Sequence, residues 1–315
     1  MTDSSMPLVV AMDGPSGTGK SRVSRALAQR LKQAGYDCIG FDVRSEAMRV
    51  FEKAGFATAP SVVDIAKKSN TLVLAVFDTT GVLDVANQIV HDRHAKLKFL
   101  QSDPLPVLTL IDCSTGDPLK LAELAKQLAA SHIHLIEAPL SGSSVQIENG
   151  EATLLLGGES QHIQHAQAVL NALATSQVHV GTAGMAAKAK LATNLVLGLN
   201  RAALAEGIVF AQTMGIEPAA FLQLVLKTPA RSEAAVVKGE MMLNEQFEPQ
   251  SRIRQHLKDV QLMLDIAQTA EQNLPLSQAH ASLMRNAIAQ GDGELDNAAI
   301  VRQIRREKTS RSPKQ

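Results

Sequence analysis

Short apolar runs rich in β-branched residues alternate with helical periods through the first half of the chain, and this alternation restricts the fold more than any other feature. The runs at residues 9–13, 38–42, 72–77, 107–112 and 134–137 lack the polar alternation of a half-exposed strand, so they read as strands buried on both faces. Between them, residues 22–33, 45–53, 62–67, 82–89 and 118–130 repeat apolar side chains at helical spacing. Strand, helix, strand in succession predicts a doubly wound, Rossmann-like parallel sheet, an α/β domain that binds ligands at the C-terminal ends of its strands. Residues 153–156 and 178–180 continue the strand pattern around a helix at 162–173. After residue 183 the strand signal stops. Residues 185–214 form one long helical period ended by Gly215, and amphipathic stretches follow at 218–226, 253–270, 277–288 and 297–306. The pattern therefore predicts an α/β domain over residues 1–183, an all-α helical domain over 184–305 and a flexible basic tail at 306–315.

Composition excludes several classes. A chain of 315 residues with 31 Lys+Arg against 31 Asp+Glu lacks the net positive charge of a nucleic-acid binder. With 3% aromatic residues, its cores must be assembled from Ala, Val, Leu and Ile. Cys38 and Cys113 sit inside apolar, β-branched stretches and read as buried core residues of a reducing compartment. The long apolar period is interrupted by Asn194, Asn200, Arg201 and Glu206, which suits a core helix better than a membrane span. With no signal-peptide pattern at the N-terminus, the expected location is cytoplasmic, with no membrane and no nucleic acid as partner. His91 and His94, like His162 and His165, are three apart, but no Cys or carboxylate cluster joins them, so no metal site is expected.

Directly after the first strand comes G-P-S-G-T-G-K-S, with Gly14, Gly17, Gly19, Lys20 and Ser21 at the positions of a P-loop. Glycines let successive backbone N–H groups converge on phosphate oxygens, Lys20 neutralises charge, and Ser21 has the hydroxyl that can hold magnesium. Residues 11–28 resemble the opening of a cytidylate kinase, and the resemblance stops there. Asp78 and Asp112, both at strand ends, are the available magnesium-site acids under that reading.

A second resemblance covers residues 35–301. The segment E-A-P-L-S-G-S at residues 137–143 is similar to the D-A-P-V-S-G-G segment of the 3-hydroxyisobutyrate dehydrogenase (β-hydroxyacid dehydrogenase) family. Residues 184–194, ending K-L-A-T-N, resemble its G-x-G-x-x-x-K-x-x-N-N stretch. Leu110 to Thr115 resembles its I-D-x-S-T strand end, and Lys258-Asp259 its late K-D pair. The resemblance implies hydride transfer between a nicotinamide cofactor and a small 3-hydroxy acid or its semialdehyde. It implies Lys190 as the catalytic acid/base, and Ser141, Gly142, Asn194 and Thr115 at the substrate. It also implies a homodimer or homotetramer formed through the helical half. The family's G-x-G-x-x-G is absent, and the P-loop residues Gly14, Gly17, Gly19, Lys20 and Ser21 occupy its place toward the cofactor. The chain departs from the family again at Ser143, which replaces a glycine, and at Thr193, which stands where an Asn is usual.

Asp42 closes the second strand, where a carboxylate accepts adenosine ribose hydroxyls and repels a 2′-phosphate, which favours NAD. Arg44, two residues on, could instead cradle that phosphate, so NADP is the alternative. By the resemblance, Lys258 lies near the nicotinamide. Lys188 is a close neighbour of Lys190 whose influence depends on facing. Two other readings remain open on sequence: an ATP–magnesium phosphotransferase or ATPase, and a non-catalytic nucleotide-binding protein whose altered loop has spoiled the dinucleotide site.

Overall fold

A computed structural model describes residues 8–12, 20–97 and 106–307, with side chains described for residues 22–95 and 106–307. The chain forms two compact units, Met1–Lys190 and Leu191–Gln315.

The first unit is built on a nine-stranded sheet. Its strands are β1 (Leu8–Met12), β2 (Cys38–Asp42), β3 (Ala57–Thr58), β4 (Thr71–Ala75) and β5 (Leu108–Asp112), then β6 (Ile133–Glu137), β7 (Leu140–Ser141), β8 (Thr153–Gly157) and β9 (Ser176–Gly181). Their order is β3-β2-β1-β4-β5-β6-β8-β7, with β9 paired to β8. The ladders from β3 to β6 are parallel, β8 runs antiparallel to β6 and β7, and β9 is parallel to β8. The predicted doubly wound sheet is present. The short strands β3 and β7, each of two residues, were not signalled by any apolar run.

The helices of this unit are α1 (Lys20–Gln33), α2 (Ser45–Lys53), α3 (Val62–Ala66), α4 (Thr79–Leu97), α5 (Pro118–Ala129), α6 (Ser144–Asn149), α7 (Ser160–His165) and α8 (Gln167–Leu173). They cover both faces. Leu72 and Leu74 of β4 and Val76 just beyond it enter one core with Val85 and Ile89 of α4 and Leu121 and Leu124 of α5. The intervening Val73 and Ala75 enter another, with Leu27 and Leu31 of α1 and Leu170 of α8. This two-sided burial is why the strands read as continuous apolar runs. The helix expected over 162–173 is two helices, broken at Ala166 (φ −87°, ψ 1°), with no Gly or Pro to announce the break. Local chemistry sets other starts: Asp117 caps α5 ahead of Pro118, and Ser61 caps α3. Cys38 and Cys113 are buried and stand outside any disulfide, and burial pushes the Cys38 thiol up to about 11.

Helix α9 (Met185–Thr213) leads out of the sheet unit. The second unit continues it and adds α10 (Pro218–Lys227), α11 (Glu233–Leu243), α12 (Ile253–Thr269), α13 (Pro275–Ala289) and α14 (Ile300–Arg306). By length and composition α9 could cross a membrane. Here Leu204, Ala205, Ile208 and Val209 lie instead in the core of the helical unit, with Leu222, Met242, Met263 and Met284. The expected basic tail falls mostly at residues 308–315, outside the described residues.

Candidate active site

The sheet order reverses direction at β1: β2 and β3 lie to one side, β4, β5 and β6 to the other. Ligands of open parallel sheets bind beyond the strand ends at such a switch point. The residues that follow β2, β4, β5 and β6 therefore line the candidate site.

Asp42 ends β2 and is buried. Its Oδ1 accepts the Arg44 backbone N–H at 2.9 Å and Nε at 3.3 Å, while Arg44 Nη2 lies 3.3 Å from Oδ2. On sequence, Asp42 and Arg44 are alternatives for the adenosine end of the cofactor. The structure makes them one ion pair, so the carboxylate meets any incoming phosphate with its charge already compensated.

Beyond β5, Asp112 Oδ1 accepts the Ser114 N–H at 2.9 Å, and Ser114 Oγ accepts the Val76 N–H at 3.0 Å from the end of β4. This ties the turn carrying the half-buried Thr115 to its neighbouring strand. Beyond β6, Ser141 closes β7 and the exposed Gly142 follows. A Cβ on Gly142 would stand 2.9 Å from Ala152 Cβ, so the turn fits only a glycine. Ser143, the departure from the family segment, caps α6: its Oγ accepts the Gln146 N–H at 3.2 Å, and Gln146 Oε1 accepts the Ser143 N–H at 2.7 Å.

Lys190 is 8% exposed on α9, whereas Lys188 is exposed. The two lysines thus meet different surroundings, and the sequence gives no way to tell which faces inward. Asn194, half-buried, lies one turn beyond Lys190 on the same helix face, and Thr193 is exposed. The first turn of α9 is held by a residue outside the sequence-predicted site, Glu137. Glu137 Oε2, at the end of β6, accepts the Ala186 N–H at 3.0 Å. Burial pushes this carboxyl up to about 7, and Asp112 adds to the rise, while the backbone N–H groups of α9 oppose it. No sequence signal could have found a contact between residues 49 positions apart.

In the helical unit, Lys258 is half-buried on α12, with Nζ 3.4 Å from Asp259 Oδ1. It lines an open cavity of about 430 Å³ with Arg254, Leu257, Gln261, Arg285 and Ile288. Gly14, Gly17 and Gly19 lie outside the described residues, and Lys20 and Ser21 are known only as the start of α1. His134 and His162 stack with ring centroids 3.5 Å apart, and burial lowers both below the usual histidine range. Among the described residues there is no cluster of three or more metal-ligating side chains.

Two family models match. The NAD-binding domain of 6-phosphogluconate dehydrogenase matches residues 19–181. The NAD-binding family of NADP-dependent 3-hydroxyisobutyrate dehydrogenase matches residues 184–304. Among curated proteins, the chain is 25% identical to the cytokine-like nuclear factor N-PAC of Aedes aegypti over 87% of its own length, and spans about half (48%) of that protein. It is 26% identical to L-threonate dehydrogenase of Cupriavidus necator, covering 90% of this chain and 93% of that one. Among solved structures, it matches 3-hydroxyisobutyrate dehydrogenase of Mycobacterium tuberculosis with L-serine at a TM-score of 0.80 and 20% identity, covering 95% and 100% of the two chains. The phosphotransferase reading has no support among these matches.

Proposed function

This chain belongs to the 3-hydroxyisobutyrate dehydrogenase (β-hydroxyacid dehydrogenase) family, and from that premise we propose that Lys190 is the proton-transferring group of an enzyme that interconverts a small 3-hydroxy acid and its semialdehyde. NAD(P)-dependent hydride transfer on a small hydroxy acid is the activity of the family. The observation that carries the assignment is a lysine 8% exposed, one turn before Asn194 on a single helix face.

The residues present fit a dinucleotide. The switch point of the sheet lies at β1, and Asp42 stands at the end of β2, where a carboxylate receives the adenosine ribose. When bound, the nicotinamide supplies or accepts the hydride. The side chains of this protein do the rest. Lys190 protonates the substrate oxygen in the reductive direction and takes that proton back in the oxidative one. The Ser141 hydroxyl and the Gly142 backbone N–H hold the substrate carboxylate, with Thr115 and Asn194 completing its contacts. Asp42 with Arg44 takes the ribose of NAD, and NADP is the second choice. Gly14, Gly17, Gly19, Lys20 and Ser21 serve the cofactor phosphates, and Lys258 serves the nicotinamide end.

In this reading residues 1–183 are the dinucleotide-binding domain and residues 184–305 the substrate and dimerisation domain. The protein works in the cytoplasm as a homodimer or homotetramer, with no nucleic-acid or membrane partner. Exposed apolar side chains of the helical unit, among them Val196, Phe210, Met214 and Leu224, support self-association.

The test is turnover of a panel of small 3-hydroxy acids with NAD and with NADP, for the wild type and Lys190→Ala. The substitution should lower kcat by roughly 10²–10⁴ while cofactor binding, read as a melting shift, is retained. Turnover of the variant within about tenfold of wild type would overturn the role of Lys190.

A further inference from the structure

Glu137 is 1% exposed, and its side chain is directed into the start of α9. Its Oε2 accepts the Ala186 N–H at 3.0 Å, the neighbouring N–H groups of Gly184 and Ala187 favour the charged carboxylate, and Oε1 has no hydrogen-bond partner among the described residues. The first N–H groups of a helix have no acceptor within the helix, and a carboxylate there also meets the positive end of the helix dipole. Ala186 lies four residues before Lys190, so the anchored turn sits directly below the lysine on one face of α9.

The surrounding sequence makes room for this contact. Gly157 of β8 is the register partner of Glu137. A Cβ there would stand 2.5 Å from Glu137 Oε2 and 3.0 Å from the backbone nitrogen of Ala186. Glycine at 157 is thus what lets the carboxylate reach α9. The family segment has Asp where this chain has Glu137, and the extra methylene gives the longer reach.

We propose that Glu137 is a positioning residue for hydride transfer: its carboxylate pins the first turn of α9 to the end of β6 and so fixes where Lys190 stands. This rests on reading Lys190 as the proton-transferring group. The contact depends on pH. From β5 the carboxylate of Asp112, register partner of Glu137, faces it. From β8 and α9 come Gly157, Gly184, Ala186 and Ala187, which do not titrate. Of the helices packed on β6, α5 meets this place through the Pro118 carbonyl, which lies against Gly184. Helix α7 meets the strand at His134 through His162. With burial and Asp112 holding the Glu137 carboxyl near 7, protonation at neutral pH leaves Oε2 a weaker, uncharged acceptor, and the anchor loosens as pH falls.

The experiment combines amide hydrogen exchange of residues 185–190 with steady-state kinetics between about pH 5.5 and 8.5, on the wild type, Glu137→Gln, Glu137→Ala and Lys190→Ala, a range that brackets the usual histidine-to-neutral region. In Glu137→Ala the α9 amides should exchange at least about tenfold faster and kcat should fall about tenfold or more, since a displacement of ~1 Å can cost on the order of 100-fold, with KM for the cofactor little changed. Glu137→Gln keeps the shape but carries an uncharged acceptor at every pH, so its α9 protection, exchange corrected for its intrinsic pH dependence, should stay at the low-pH wild-type level and lose the change that wild type shows as pH crosses about 7. It also serves if the alanine variant does not fold. Equal α9 protection in Glu137→Ala and wild type overturns the proposal, as does a pH-dependent change in that protection that persists in Glu137→Gln after the intrinsic rate is divided out. If Lys190→Ala loses turnover and Glu137→Ala does not, the positioning role alone fails. If Lys190→Ala keeps full turnover, both readings fall.

Discussion

Arg44 folds back onto Asp42, with its backbone N–H 2.9 Å from Oδ1 and its guanidinium nitrogens 3.3 Å from each carboxylate oxygen. A carboxylate in this position discriminates against a 2′-phosphate by repulsion, and a neutralised one does so less. Arg44→Ala should therefore raise the ratio of kcat/KM for NAD over NADP by about tenfold, equivalent to ~1.4 kcal/mol. Measuring both cofactors with one hydroxy acid decides the matter. An unmoved ratio would show that neither residue reads the cofactor.

In the helical unit the buried Asp296 is an acceptor hub. Its Oδ2 takes Lys238 Nζ at 2.9 Å and the N–H groups of Gln250 and Ser251 at 2.9 and 3.1 Å, while Oδ1 takes the Ala298 N–H at 2.9 Å. Removing one partner of a buried pair strands the other, so Asp296→Ala should cost about 3–5 kcal/mol in denaturant unfolding. Arg201 predicts the opposite sign. It is buried, burial lowers its guanidinium to about 10, and Nε and Nη2 have no hydrogen-bond partner among the described residues. Arg201→Met should leave stability unchanged or raise it by about 1 kcal/mol or more. A large loss in that variant would mean the guanidinium is satisfied in the working protein.

Two groups make pH dependence a matter of opposing signs. Burial, with the Arg201 charge adding, holds His280 at about 4, against 6.5 for the ordinary group. Between those values the unfolded chain takes a proton that the folded one refuses, so His280 costs stability as pH falls from about 6.5 to 4. Glu137 is held at about 7, above its ordinary 4.5, so its contribution is complete below about 4.5 and is lost as pH rises through 7. From pH 6.5 to 4.5 the two slopes oppose each other. His280→Gln should make unfolding free energy rise on acidification in that window, and Glu137→Gln should make it fall. Parallel slopes for the two variants would refute the pairing.

Much of this architecture is legible because the parallel strands are buried on both faces. The segments 38–42 and 45–53 fall where apolar continuity and helical spacing place them. Helix α11 went unread because Ala234, Ala235, Val236, Val237, Met241 and Met242 give it an apolar surface nearly all round, with no polar stripe to mark a period. The break at Ala166 is set by tertiary packing and carries no sequence mark. Of the candidate site, Lys190 and Ser141 are singled out by motif order alone. The Asp42–Arg44 pair needed the backbone turn, and the Glu137–Ala186 bond needed the strand order of the sheet.

Ser143 tests whether a departure from the family segment is compensated locally. Its hydroxyl and the Gln146 side chain form a reciprocal capping box on α6, one residue beyond the Gly142 turn. Loss of such a cap to alanine costs about 1 kcal/mol, whereas glycine costs only a few tenths. Ser143→Ala should thus lower Tm more than Ser143→Gly, which restores the family residue. Because the box fixes the backbone that follows Gly142, the alanine variant should also raise KM for the hydroxy acid by a factor of about three to ten, with KM for the cofactor unmoved; tenfold is ~1.4 kcal/mol. If alanine and glycine variants melt together and bind the acid alike, Ser143 only tolerates the turn and does not hold it.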